Sequence, residues 1–136
     1  MPVKRGEAAA ARARELVGSR FRPQGRRREH GLDCLGLVAA AAELPIELMP
    51  TGYAMRSEVS EDMLSLTLDG RVEKISIADA GEGDVLLVQA GPGQHHFLIL
   101  LKDGFVHADA RLGRVVETPG AVAWPVVAAW RIMETD

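Results

Sequence analysis

The hydrophobic pattern of this chain changes character at Gly70, and that change constrains the fold more than any other feature. Before it lie segments rich in helix formers. After it come six Val/Ile/Leu-rich runs, at 71–77, 84–89, 95–101, 105–108, 114–117 and 126–133. Gly, Pro or Asp-Gly turns separate most of them. Helices followed by closely spaced strands predict an α+β fold, in which helices pack on one side of an antiparallel sheet. The 136 residues suit a single domain spanning 1–136. Aromatic residues make up only 4%, so the core is expected to be aliphatic.

The helical part divides further. Glu7 to Val17 is built from Ala, Arg, Glu and Leu, with Gly18 as the stop. Ser19 to Gly31 carries Pro23, Gly25 and the arginines 20, 22, 26, 27 and 28, a composition that predicts an exposed loop. Asp33 then caps a helix reaching Leu44, before Pro45. That helix is almost wholly apolar and is expected to be buried. A linker over 45–56 and a helix over 58–68, capped by Ser57 or Ser60, complete this half. In the strand half, Asp103-Gly104 is the clearest hairpin signal, and Asp84 is expected to serve a turn. Trp124 and Trp130, near the last run, are expected to be packing residues.

Charge and hydropathy remove several function classes. The net charge is −3 and the pI about 5.8, which argues against a nucleic-acid partner. The apolar stretch Leu35–Leu44 is too short for a membrane span and includes Glu43. Met1 to Arg14 is charged and Ala-rich, without the apolar core of a signal peptide. The expectation is a cytoplasmic location at synthesis, with export by another route left open.

The single cysteine, Cys34, rules out an internal disulfide and a Cys-rich zinc site. It is either an inert core residue or a reactive thiol. Its place just after the cap puts the sulfur in a first helical turn, where free N–H groups and the helix dipole favour a thiolate. His95 and His96 open one strand run and His107 closes the next. If Asp103-Gly104 closes a hairpin, those histidines approach one another, and two imidazoles can serve as a base and the group that orients it. Zinc on these histidines lacks a third well-spaced ligand, so neither metal nor cofactor is expected. Cysteine at a helix start followed by histidine-bearing strands is the arrangement of Cys–His nucleophilic chemistry.

The residues carrying that chemistry also resemble a known family. Gly-Leu-Asp-Cys-Leu-Gly-Leu-Val at 31–38 is similar to the Asp-Cys-x-Gly-Leu-Val motif of NlpC/P60 peptidases. Gly-Asp-Val-Leu-Leu at 83–87, His-Phe-Leu-Ile-Leu at 96–100 and Phe-Val-His-Ala at 105–108 resemble three further segments of that family, in the same order. The resemblance implies a papain-like NlpC/P60 fold and hydrolysis of peptide bonds in peptidoglycan stem peptides of the D-Glu–diaminopimelate type. It makes Cys34 the nucleophile, His96 the general base, with His95 as rival, and His107 the orienting residue. Phe21, Arg22, Asp33 and His95 are placed around the substrate, and the arginines of 20–28 are candidates for binding its carboxylates. Phe21 stands where the family has a tyrosine, and Leu98 where it has a small residue that leaves the cleft open. Asp-Cys-Leu-Gly-Leu-Val at 33–38 resembles in particular the short peptidases encoded with phage tails and gene transfer agents. This implies phage-tail-like proteins as partners and delivery to the periplasm or wall in a phage-like particle. An inactive tail-assembly or wall-binding module, or an amidase or acyltransferase using the same Cys–His pair, is the alternative.

Overall fold

The computed structural model describes residues 5–44, 71–92 and 94–133. The linker and third helix expected over 45–68 lie outside them. Helix α1 is Arg5–Glu15 and α2 is Cys34–Ala42. Between them β1 (Arg26–Arg27) and β2 (Gly31–Leu32) form a two-stranded hairpin. The segment expected as an exposed loop is thus partly strand, and two isolated bridges, Arg20 with Arg114 and Phe21 with Leu32, hold it down. A six-stranded sheet follows: β3 (Val72–Ile75), β4 (Val85–Gly91), β5 (Gln94–Leu100), β6 (Gly104–Asp109), β7 (Arg114–Pro119) and β8 (Val126–Ile132). Its order is β3-β8-β4-β5-β6-β7, antiparallel throughout. The α+β expectation holds, as do all six strand runs.

The chain stays local from β4 to β7, then returns across the sheet to insert β8 between β3 and β4. Asp84 anchors this return. It takes the Gly81 N–H at 2.9 Å and receives Arg131 of β8 through Nε at 3.2 Å and Nη2 at 3.0 Å. A turn residue in the sequence is also the clamp for a strand 47 positions away.

Both faces of the central strands are covered. Leu35, Leu37 and Val38 of α2 pack with Val85, Leu87, Phe97, Ile99, Val106 and Trp130. On the opposite face Leu86, Val88, Leu98, Phe105 and Ala129 form a second cluster, covered by Val122 and Trp124. Each fully buried Leu or Phe contributes roughly 1.5–3 kcal/mol relative to exposure. Helix α1 packs on α2 through small residues, Ala9, Ala10 and Ala13, which let two alanine-rich helices approach closely.

Two departures from the expected boundaries have local causes. Helix α2 stops at Ala42 because Glu43 adopts a left-handed conformation, φ 56°. The β5–β6 turn centres on Lys102-Asp103, while Gly104 already pairs with Pro119. Glycine is required there by crowding, since a Cβ would lie 2.3 Å from the Thr118 carbonyl oxygen.

The β5–β6 ladder is short. Ile99 pairs with Val106 and Leu100 with Phe105, whereas β6 stays paired to β7 out to Asp109. The strands therefore part toward the start of β5. The candidate site lies at this opening.

Candidate active site

Asp33 fixes where α2 begins. Its extended backbone breaks the helix, and Oδ1 accepts the Gly36 N–H at 2.8 Å. Oδ2 accepts the Gln24 N–H at 2.9 Å, and Arg26 Nη1 lies 2.8 Å from Oδ1. The Arg26 and Asp33 side chains are 9% and 1% exposed, so this ion pair is internal. Burial raises the Asp33 pKa, and the Gly36 bond and the Arg26 charge pull it back. Asp33, expected near the substrate, has both oxygens committed to the helix start. Arg26 leaves the expected carboxylate-binding set for the same reason, while Arg20, Arg22, Arg27 and Arg28 are exposed. Gly36 completes the device: a Cβ there would meet the Gly25 carbonyl oxygen at 2.0 Å, so only glycine lets the arginine loop sit on the first turn.

Cys34 occupies the first helical position and is 7% exposed. The expectation of a thiolate stabilised by the helix start is not met. Burial pushes the Cys34 thiol up to about 12, and the Asp33 charge adds to the rise. The Phe97 and Leu35 N–H groups and Arg26 offset this only in part. Loss of hydration outweighs the helix end because burial disfavours the charged thiolate more than the nearby N–H groups and Arg26 favour it. The resting group at pH 7 is a neutral thiol. Iodoacetamide alkylation of the folded protein should therefore be slower at pH 7 than for a free cysteine. Its rate should climb about tenfold per pH unit to pH 10 without levelling off. A plateau below pH 8 would mean the thiol ionises near neutrality.

The Phe97 contact locates the sulfur. Leu101 N–H donates to Gly104 at 2.8 Å, so the odd-numbered N–H groups of β5 face β6. Phe97 N–H lies beyond the last paired residue, and there it meets Cys34 instead of a strand.

His96 and His107 come together across the same opening. Continuing the Ile99–Val106 register makes them diagonal neighbours on one face. His96 Nε2 and His107 Nδ1 are 3.0 Å apart and the rings are nearly perpendicular, at 85°. One nitrogen must carry the proton and the other accept it. Burial, and then the neighbouring His107, lower His96 to about 4. Burial lowers His107 as well, while the Asp109 charge acts upward on both rings. Both imidazoles are neutral at pH 7. Neither ring hydrogen-bonds to Cys34 in this state, and Nδ1 is the remaining nitrogen of His96.

A cleft of about 630 Å³ joins these groups. Cys34, His95, His96, His107, Phe21 and Trp124 line it, with Asp109 and Arg111 at its border. His95, half-buried, has the strand parity of Phe97 and so belongs to the helix-bearing side of β5. Arg22, expected at the substrate, is exposed and is not among the lining residues. Leu98, expected to narrow the cleft, is fully buried in the second cluster. Trp124 was expected only to pack, yet it walls the cleft. No local pattern marks it; its scarcity as one of two tryptophans is the only sequence hint. Among the described residues no set of three or more His, Cys, Asp or Glu side chains is arranged to hold a metal, and no helix is long and apolar enough to cross a membrane.

The chain matches no protein-family model and no curated protein sequence. Its structure is similar to NlpC2 of Trichomonas vaginalis, with a TM-score of 0.71 and 16% identity over 99% of this chain. The chain spans 49% of that protein. The peptidoglycan hydrolase RipB of Mycobacterium tuberculosis matches with a TM-score of 0.60 and 23% identity, over 99% of this chain and 70% of RipB. RipD of the same organism, described as a non-catalytic NlpC/P60 domain protein adapted to peptidoglycan binding, matches at 0.55 and 17%, over 96% of this chain and 98% of RipD. Two helices on an antiparallel sheet, with a cysteine at a helix start facing a histidine-bearing hairpin, give this chain the α+β fold of NlpC/P60 domains.

Proposed function

We propose that this protein is a cysteine peptidase that hydrolyses peptide bonds in bacterial peptidoglycan stem peptides. Cys34 is the nucleophile, His96 the base and His107 the residue that orients it. The observation that carries this reading is the 3.0 Å His96–His107 contact in the cleft that Cys34 also lines. That contact occupies His96 Nε2 and leaves Nδ1 for the thiol proton. The similarity to RipB supports the choice of substrate.

The mechanism follows from the neutral resting state. With the thiol raised to about 12 and the imidazole lowered to about 4, free proton transfer from Cys34 to His96 is strongly uphill. Deprotonation is therefore concerted with attack of sulfur on the scissile carbonyl, when the new C–S bond compensates. In this mechanism the Cys34 backbone N–H, one of the free donors of the helix start, donates to the oxyanion. His96 passes its proton to the leaving amine, and water then releases the acyl group from sulfur.

A second reading, a wall-binding module without activity, is favoured by the un-ionised thiol and by the likeness to RipD. Partnership with phage-tail-like proteins and particle-borne delivery rest on the Asp-Cys-Leu-Gly-Leu-Val motif at 33–38 alone. Digestion of purified peptidoglycan separates these readings. A peptidase releases new amino termini from the stem peptide. An amidase frees the whole stem from the sugar, and an acyltransferase moves the acyl group to an added amine. A binding module sediments with the wall and releases nothing, which would overturn the proposal.

A further inference from the structure

We propose that Trp124 is a positioning residue that screens the His96–His107 hydrogen bond from solvent. This rests on the reading of His96 as the base. The indole ring centre lies 6.1 Å from that of His96 and 5.4 Å from that of His107, edge-on to both at 84° and 75°. Phe105 backs the arrangement, 5.8 Å from Trp124 and 5.4 Å from His107. The two imidazoles thus meet inside an aromatic enclosure, on the sheet face opposite the helices.

Topology explains how the tryptophan arrives. To insert β8 between β3 and β4, the chain must cross the outer face of β6 and β5, and residues 120–125 make that crossing. This crossing segment, Gly-Ala-Val-Ala-Trp-Pro, contains no titratable group. The charged and titratable neighbours of the pair come from elsewhere: His95 on β5, Asp109 on β6, Arg111 just beyond it, and Cys34 at the start of α2. An exposed hydrogen bond between two neutral imidazoles competes with water and holds ring orientation weakly. An enclosed one persists, because breaking it leaves unpaired nitrogens in an apolar site.

Trp124→Ala and Trp124→Phe in the full chain test this by two readouts, histidine titration by NMR and kcat on stem peptide. In Trp124→Ala, the His96 titration should rise from about 4 toward the ordinary 6.5, and kcat at pH 7 should fall roughly tenfold to a hundredfold with KM changed less than about threefold. Trp124→Phe should retain the low titration and most of kcat. A Trp124→Ala protein that titrates like wild type overturns the proposal whether or not the chain is a peptidase, since the NMR readout needs no activity. If Trp124→Ala does not fold, wild-type fluorescence decides. Imidazolium quenches indole emission, and a screened pair stays unprotonated through the ordinary histidine range, so emission should fall only well below pH 6.5. A fall centred near 6.5 overturns the proposal.

Discussion

Replacing Cys34 by alanine should abolish release of amino termini from peptidoglycan, a loss on the order of 10⁴-fold or more, with the melting temperature near that of wild type. Sulfur is the atom that attacks, and no neighbouring oxygen or nitrogen can take its place. Its side chain is small, so alanine leaves a minor void. His96→Ala should cost about 10³- to 10⁴-fold in kcat, and His107→Ala about a hundredfold, because the first removes the base and the second only its anchor. His95→Ala should raise KM and spare kcat. If His95→Ala instead takes the large kcat loss and His96→Ala does not, the base is His95. The pH profile adds an independent check. A base works only when unprotonated, and His96 is held down to about 4. Activity should therefore stay level from pH 7 to about 5 and fall below about 4, whereas an ordinary histidine would lose activity below 6.5. No alkaline loss near neutrality is expected, since His96 is not required to start as imidazolium.

The second large effect concerns stability. Asp33→Ala should lower unfolding free energy by about 3–5 kcal/mol, read as a shift of the urea midpoint. The change removes the carboxylate partner of Arg26, whose side chain is only 9% exposed, and the acceptor for the Gly36 and Gln24 N–H groups. Asp33→Asn retains a capping oxygen while losing the charge, so it should fall between alanine and wild type. A loss below 1 kcal/mol in Asp33→Ala would show that the pair acts as a weak surface contact. Activity should fall with stability, because the same carboxylate positions the first turn that carries Cys34.

These two expectations differ in how much of them the sequence contained. Cys34 after a capping Asp33, and two histidines on successive strand runs, are legible because capping and hairpin formation involve residues a few positions apart. The partner of Asp33 is not, since nothing in five nearby arginines singles out Arg26. That selection came from the β1–β2 hairpin, which tucks one guanidinium behind the helix start.

The sequence by itself determined the helix-then-strand order, the position of the Asp33 cap, all six strands and the candidacy of Cys34, His95, His96 and His107. Local hydrogen bonding and hydrophobic runs encode those features. Only the tertiary structure decided that β8 enters the middle of the sheet, that Trp124 reaches the histidines and that the thiol rests neutral. Strands buried on both faces lose their alternation, so periodicity could not tell which histidine faces which side. Ionisation depends on how much water a group keeps, and that is set by neighbours far away along the chain.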